Sequence, residues 1–287
     1  MEAHDLALSP TARARSWRGR DALALAPALT LLVLLFGGAL AGALKVSVVP
    51  LGGDLGDASL RSWDELLADP AFVDGLLFTL RIALVSTALA ACAGVALALV
   101  LRRRGIALRG LAALPVPVPH LLVAVVAAVW LAPGGLADRL LGGLPLDLIR
   151  DPGGLGVILV YVYKEAPFIA LLVLAAMGRG LDQRDEAARV LGASRLQRAA
   201  WVLWPAIRGP LVIGCVIVAA FAIGAFEVPL AVGPNSPPTL AVYALEATRG
   251  DVLAGEGRAA AALLVAGLLA IALAAVAVRF ARSVEGE

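Results

Sequence analysis

Lys164 and Glu165 stand side by side in the middle of LGVILVYVYKEAPFIALLVLAAM (155–177), a run that is otherwise almost wholly apolar. An ionisable side chain at the centre of a bilayer costs about 2.5–3.5 kcal/mol or more on insertion, so such residues are functional candidates by default. Neighbouring positions on a helix point to different faces, so the two are not expected to pair with each other. Each is expected to meet another helix or a partner subunit, as a tether or as lining of a solute pathway, and the residues alone leave both open. Pro167 follows and can kink the helix. Glu227, beside Pro229 in GAFEVPLAVGP, either meets a cationic solute or reaches back to water, as Arg81 can do near the start of its own run. His120 follows LPVPVP, where prolines at alternate positions favour an extended or broken backbone over a regular helix. It either touches solute or only packs.

Other chemistry is poorly provided for. Cys92 and Cys215 lie far apart in apolar runs and read as buried thiols used as small hydrophobes. They make neither a disulfide framework nor, with His4 and His120, a metal-ligand pattern. No cofactor is implied. A phosphate-cradling GxxxxGK[ST] loop needs a lysine after glycine, but the two lysines, Lys45 and Lys164, follow Leu44 and Tyr163. The chain therefore carries no such nucleotide site of its own.

With charged residues at only 16%, the chain offers too little polar surface for a soluble globule of its size. It reads as an all-α integral membrane protein. A membrane-spanning helix needs about 20 mainly apolar residues. Six runs qualify, at 23–44, 76–101, 111–132, 155–177, 210–232 and 258–280. The first is too long for a signal peptide and is expected to remain as an anchor.

With the N-terminus in the cytoplasm, 16 basic residues fall in inner segments and six in outer ones, so both termini are expected to be cytoplasmic. The net charge of +2 then reflects topology and gives no reason to expect nucleic acid. The organisation expected is a basic tail (1–22), the anchor (23–44), an outer loop (45–75), a five-helix core (76–280) and a short tail (281–287). WDELLADPAF in the outer loop suits a short interfacial helix, while 133–154 and 233–257 read as irregular connections. Gly94, Gly214 and Gly224 suit close helix approach in lipid.

The segment 178–209 interrupts this pattern with DEAARVLGASRLQRAAWVLWPAI (185–207), polar and rich in arginine. Asp182 is placed to cap a helix carrying Ala187, Val190 and Leu191 on one face. Gly192 stands at a helix stop, and Ser194 with Gln197 three residues on makes a capping box. A second helix sets Leu196, Ala199, Ala200 and Leu203 on one face, and Pro205 is expected to close it. Such a pair of amphipathic helices can simply lie on the membrane surface.

The same residues resemble the EAA loop of binding-protein-dependent ABC importer permeases, whose motif reads Glu-Ala-Ala, three residues, Gly, then usually Leu-Pro. Here it is Glu186-Ala187-Ala188, Gly192 and Trp204-Pro205, with tryptophan in place of leucine, and Pro210 further on. Asp69–Leu99, Leu114–Val126 and Tyr161–Met177 are similar to the core spans of that family. The resemblance implies a type I importer fold with six transmembrane helices in the bacterial plasma membrane. It implies that Glu186, Ala187, Ala188, Leu191, Gly192 and Ala193 form a coupling helix that docks on a cytoplasmic ATPase. It implies partners: two ATPase subunits, a second permease subunit expected to be a distinct chain, and an extracytoplasmic solute-binding protein. KEAPFIALL and FEVPLAVGP are most similar to the subgroup handling polyamines, ferric iron, thiamine or aminoethylphosphonate. The alternative from another class is a secondary transporter or channel with no ATPase, which leaves the EAA-like loop unexplained.

Overall fold

The computed structural model describes residues 10–50, 52–143, 147–250 and 252–285, and its regular elements are helices. In chain order they are α1 (Pro10–Val48), α2 (Arg61–Ala68), α3 (Pro70–Leu101), α4 (Ile106–Ala113), α5 (His120–Leu131), α6 (Leu136–Leu141) and α7 (Leu155–Ala176). There follow α8 (Arg179–Val190), α9 (Arg195–Arg198), α10 (Trp204–Gly224), α11 (Glu227–Val232), α12 (Leu240–Gly250) and α13 (Val252–Glu285). Among the described residues six stretches are long and apolar enough to cross a membrane: Ala24–Val48, Pro70–Leu101, His120–Leu141, Leu155–Ala176, Arg195–Gly224 and Gly255–Val276. His4 lies outside the described residues.

The number of spans is as expected, but several boundaries move for local reasons. The Asp69 carboxylate accepts the Ala71 N–H and Pro70 takes the first helical position, so a cap starts α3 before the hydropathy rises. The third span is divided: α4 stops at Ala113, the proline run is irregular, and α5 begins at His120. The fifth span starts well before residue 210 and stops at Gly224, because Ala225 is extended and Glu227 opens a new short helix. Helical backbone also occupies segments expected to be irregular, as α6 and α12. In α12 the residues Leu240–Ala244 are buried; the prolines that signalled a loop (Pro234, Pro237 and Pro238) all precede it, and Gly250 is its last residue. The short helix expected around Trp63 is α2, whose Leu66 is fully buried.

The centre of the fold is the pair α3 and α7, which share the most extensive helix interface; α10 packs on both, and α13 packs on α10 and α12. The buried residues form two clusters, one holding Phe78, Ile82, Val157, Tyr161 and Val228 and the other Ala90, Ala98, Ile169, Val173, Ile207 and Val218. By contrast α1 leaves Leu31–Phe36 exposed and packs mainly on α13, with a smaller contact to α2. The cysteines are free but not buried: Cys92 is exposed and Cys215 half-buried, since both lie away from the α3–α7 seam.

Small residues let the central pair approach. A methyl group on Gly94 would lie 2.8 Å from Ile169 Cβ and 2.9 Å from the Ala166 carbonyl oxygen, both closer than packing allows. Gly214 is close to Leu172 in the same sense, at 3.1 Å, whereas nothing lies within 4 Å of a side chain placed on Gly224. The expectation of close approach therefore holds for Gly94 and Gly214 and not for Gly224. Gly94→Val is expected to destabilise the full chain by about 1–3 kcal/mol through overpacking. Gly224→Ala is expected to be near neutral. Thermal unfolding of the two purified variants checks this, and equal melting of both would contradict the α3–α7 account.

Candidate functional site

Two polar constellations stand out, one at the arginine-rich end where α3 finishes and one inside the apolar body. At the arginine-rich end α8 begins after Gly178, so Asp182 lies in the first turn and does not cap it. Its carboxylate instead takes a hydrogen bond from the Arg102 guanidinium, just past the end of α3. Asp185 lies 3.1 Å from Arg198 Nη1 and 4.0 Å from Arg102 Nη2. Arg109 folds back onto the end of α3, donating to the Leu101 and Arg102 carbonyls at 3.1 and 2.8 Å. Arg102, Arg109 and Arg198 thus have partners within the chain, beyond the topological role that counting gives them. The pairing was illegible because Arg102 and Asp182 are 80 positions apart.

The turn between α8 and α9 explains why small residues and a glycine recur there. Gly192 has φ +83°, a left-handed conformation that a Cβ penalises. The Ala193 N–H bonds to the Ala188 carbonyl and the Gly192 N–H to the Arg189 carbonyl, both at 3.0 Å, closing a Schellman motif. Ser194 then caps α9: its hydroxyl accepts the Gln197 N–H at 3.3 Å, and its own N–H donates to Gln197 Oε1 at 2.8 Å. Pro205 does not end this helix. A π-turn at Ala199–Leu203 widens the backbone just before it, and the chain continues into α10.

The hinge points its apolar side chains outward. Val190, Leu191 and Leu196 are 79%, 87% and 83% exposed, and Ala187 is exposed beside them. Glu186 pairs with Arg189 at 3.1 Å, but both side chains are mostly exposed, so the pair contributes little and leaves Glu186 free to exchange partners.

In the membrane interior, α5 and α7 bring His120, Lys164 and Glu165 together. His120 Nε2 and Glu165 Oε1 share a hydrogen bond of 2.7 Å. Lys164, only 3% exposed, donates to the carbonyls of Pro115, Val116 and Val118 at 2.7, 3.0 and 2.7 Å. As their spacing implies, the two neighbours serve different elements. Phe221 of α10 faces the His120 ring at 4.4 Å between centroids and meets Tyr161 edge-on at 6.1 Å. The Tyr161 hydroxyl is buried with no hydrogen-bond partner among the described residues. Glu227, at the start of α11, is half-buried, with no ion pair among the described residues. α11 packs on α5 and α7, so both broken spans meet α7.

The opposite end is held by polar clasps between loops. Arg150, at φ +61°, donates its N–H to the Val232 carbonyl and its side chain to Asn235 Oδ1 at 2.6 Å. Arg81 donates to the Gly153 carbonyl rather than extending to solvent alone. Tyr243 donates to Asp69 Oδ2 at 2.7 Å, and burial together with that carboxylate pushes its phenol up to about 12.

Residues 88–286 match the family described as the binding-protein-dependent transport system inner membrane component. The chain belongs to this family. Its members are membrane components of transport systems, not enzymes, and six apolar stretches accord with a multi-pass protein of the plasma membrane. The chain is 32% identical over 223 residues to the inner membrane ABC transporter permease protein YnjC of Escherichia coli, covering 74% of this chain and 42% of that one. It is 32% identical over 160 residues to the trehalose transport system permease protein SugA of Mycobacterium tuberculosis, covering 54% and 52%. The chain thus spans about half the length of the curated relatives it matches. Its fold matches a chain of the bacterial alginate ABC transporter solved with its pentasaccharide-bound periplasmic protein. That match has a TM-score of 0.72 at 19% identity and covers 94% of this chain and 96% of that one. An amino acid ABC transporter matches with a TM-score of 0.55 at 14% identity, covering 77% and 97%. At these identities the likeness is one of fold.

If the Arg102–Asp185–Arg198 clasp fixes the α8–α9 hinge to α3, Asp185→Asn loosens the hinge without unfolding the body. Amide exchange over 179–198 is expected to quicken about fivefold, the effect of roughly 1 kcal/mol of local stability, with the melting temperature unchanged. Unaltered exchange across the hinge would contradict the clasp.

Proposed function

We propose that this chain is the permease subunit of an ATP-driven, binding-protein-dependent ABC importer, and that its α8–α9 hinge is the plug for a separate ATPase. The observation that carries this reading is the hinge itself. Val190, Leu191 and Leu196 form an apolar knob that water does not favour, raised on a glycine turn and flanked by an exposed carboxylate. A cleft on a cytoplasmic partner would bury that knob, and Glu186 would exchange Arg189 for a basic residue there. Ala187, Ala188 and Ala193 keep the contact close. The basic-residue imbalance supports this end, and both termini, facing the cytoplasm. The five helices after α1 form the core of the permease, and 178–209 is its coupling loop.

Two ATPase subunits, a second and distinct permease subunit and an extracytoplasmic solute-binding protein complete the machine. Nucleotide binding draws the coupling hinges together, and the spans alternate between inward-open and outward-open access. The solute is small and polar or charged. The KEAPFIALL and FEVPLAVGP stretches favour the polyamine, iron, thiamine or phosphonate type, and permeases named for trehalose and sulfate among the relatives support a hydrophilic cargo. Glu227, half-buried at the start of α11, is the carboxylate best placed to meet such cargo. An ion-driven transporter without an ATPase would have no use for the exposed knob.

Charge reversal tests the docking role. Glu186→Lys is expected to insert and fold normally while uptake falls roughly tenfold or more, the cost of a like charge in a desolvated contact. Full uptake by a well-expressed variant would contradict the assignment.

A further inference from the structure

We propose that the carbonyl oxygens of Pro115, Val116 and Val118 form a binding site for a primary ammonium group, filled in this chain by its own Lys164, and that Lys164 is thereby the positioning residue of the broken third span. The site arises from the proline run. Pro115, Pro117 and Pro119 carry no N–H, so this stretch cannot close a helical ladder, and the chain turns irregularly between α4 and α5. Among the described residues no backbone N–H reaches the Val116 or Val118 oxygen, and Pro115 receives only a long turn bond of 3.3 Å from Val118. A carbonyl left unpaired in the bilayer interior costs several kcal/mol, so irregular backbone survives there only where something else satisfies it. Here the something is the ammonium.

The match is chemical as well as spatial. An –NH3 group offers three donors in a tripod, and three oxygens stand at 2.7, 3.0 and 2.7 Å from Nζ. A guanidinium presents its donors in one plane and cannot point them at a tripod of acceptors. The side chain is 3% exposed, so solvent does not share the task. One consequence follows for the neighbouring pair. His120 is the first residue of α5, directly after the cradle, and its partner Glu165 is the residue after Lys164. The lysine sets where α5 begins, and so where His120 meets the carboxylate.

Truncation and chemical replacement test this on the purified full chain. Lys164→Ala removes Cγ, Cδ, Cε and Nζ, which n-propylammonium replaces atom for atom. The melting temperature of Lys164→Ala is expected to fall by about 5 °C or more. Excess n-propylammonium is expected to restore much of that loss, methylammonium less, and tetramethylammonium or sodium at equal ionic strength none. Wild type is expected to show no such response. Wild-type melting of Lys164→Ala, or equal effects of all the salts, would overturn the proposal. Should Lys164→Ala not fold, Lys164→Arg carries the test: a loss of stability despite the retained charge supports the tripod, and wild-type melting overturns it. Restored uptake with n-propylammonium is a second reading that rests on the permease assignment. The melting shift does not, so failure of one is distinguishable from failure of the other.

Discussion

The constraint on which the fold depends is that backbone polar groups inside a bilayer must find partners within the protein. Continuous helices meet it automatically, and most of this chain is continuous helix. Among the described residues, two helix breaks beside α7 are therefore places where the protein itself must supply partners or packing. At the first break Lys164 holds three proline-stretch carbonyls and His120 closes onto Glu165. At the second, Gly224 ends α10 and α11 restarts at Glu227, packed on α5 and α7. Both breaks adjoin α7, so the most buried helix of the bundle also carries the charges that organise its neighbours.

A different economy governs the arginine-rich end. There water satisfies the backbone, and shape is fixed by local turn chemistry: a left-handed glycine, a Schellman closure and a serine cap follow each other within seven residues, Ala188–Ser194. Ion pairs from Arg102 and Arg198 to Asp182 and Asp185 tie the hinge to the foot of α3. The hinge is thus anchored at its base and apolar at its tip. That combination suits a lever better than a surface helix, because force on the tip reaches α3 and, through it, α7.

Much of this was legible in the residue order. Hydropathy gave six spans, the proline run gave the break before His120, and Gly192 with Ser194 and Gln197 gave the hinge. What stayed hidden depended on distance or on caps. The Arg102–Asp182 pair and the Lys164 cradle join residues many positions apart, and no local pattern encodes them. The start of α3 follows Asp69 and Pro70 rather than hydropathy, and helical spacing in α12 was masked by the prolines before it and the glycines at and after its end. The face that Lys164 presents could not be chosen from its neighbours. Only the packing of α7 against the proline stretch makes it a tether inside the chain.

The central functional claim is that the hinge engages an ATPase the chain does not contain. The most direct measurement is affinity purification of the full chain from its native membranes in mild detergent, followed by mass spectrometry of what accompanies it. Stoichiometric recovery of an ATP-binding cassette ATPase is the predicted result, with a second permease subunit beside it. Recovery of the chain alone, folded and intact in several detergents, would contradict the claim.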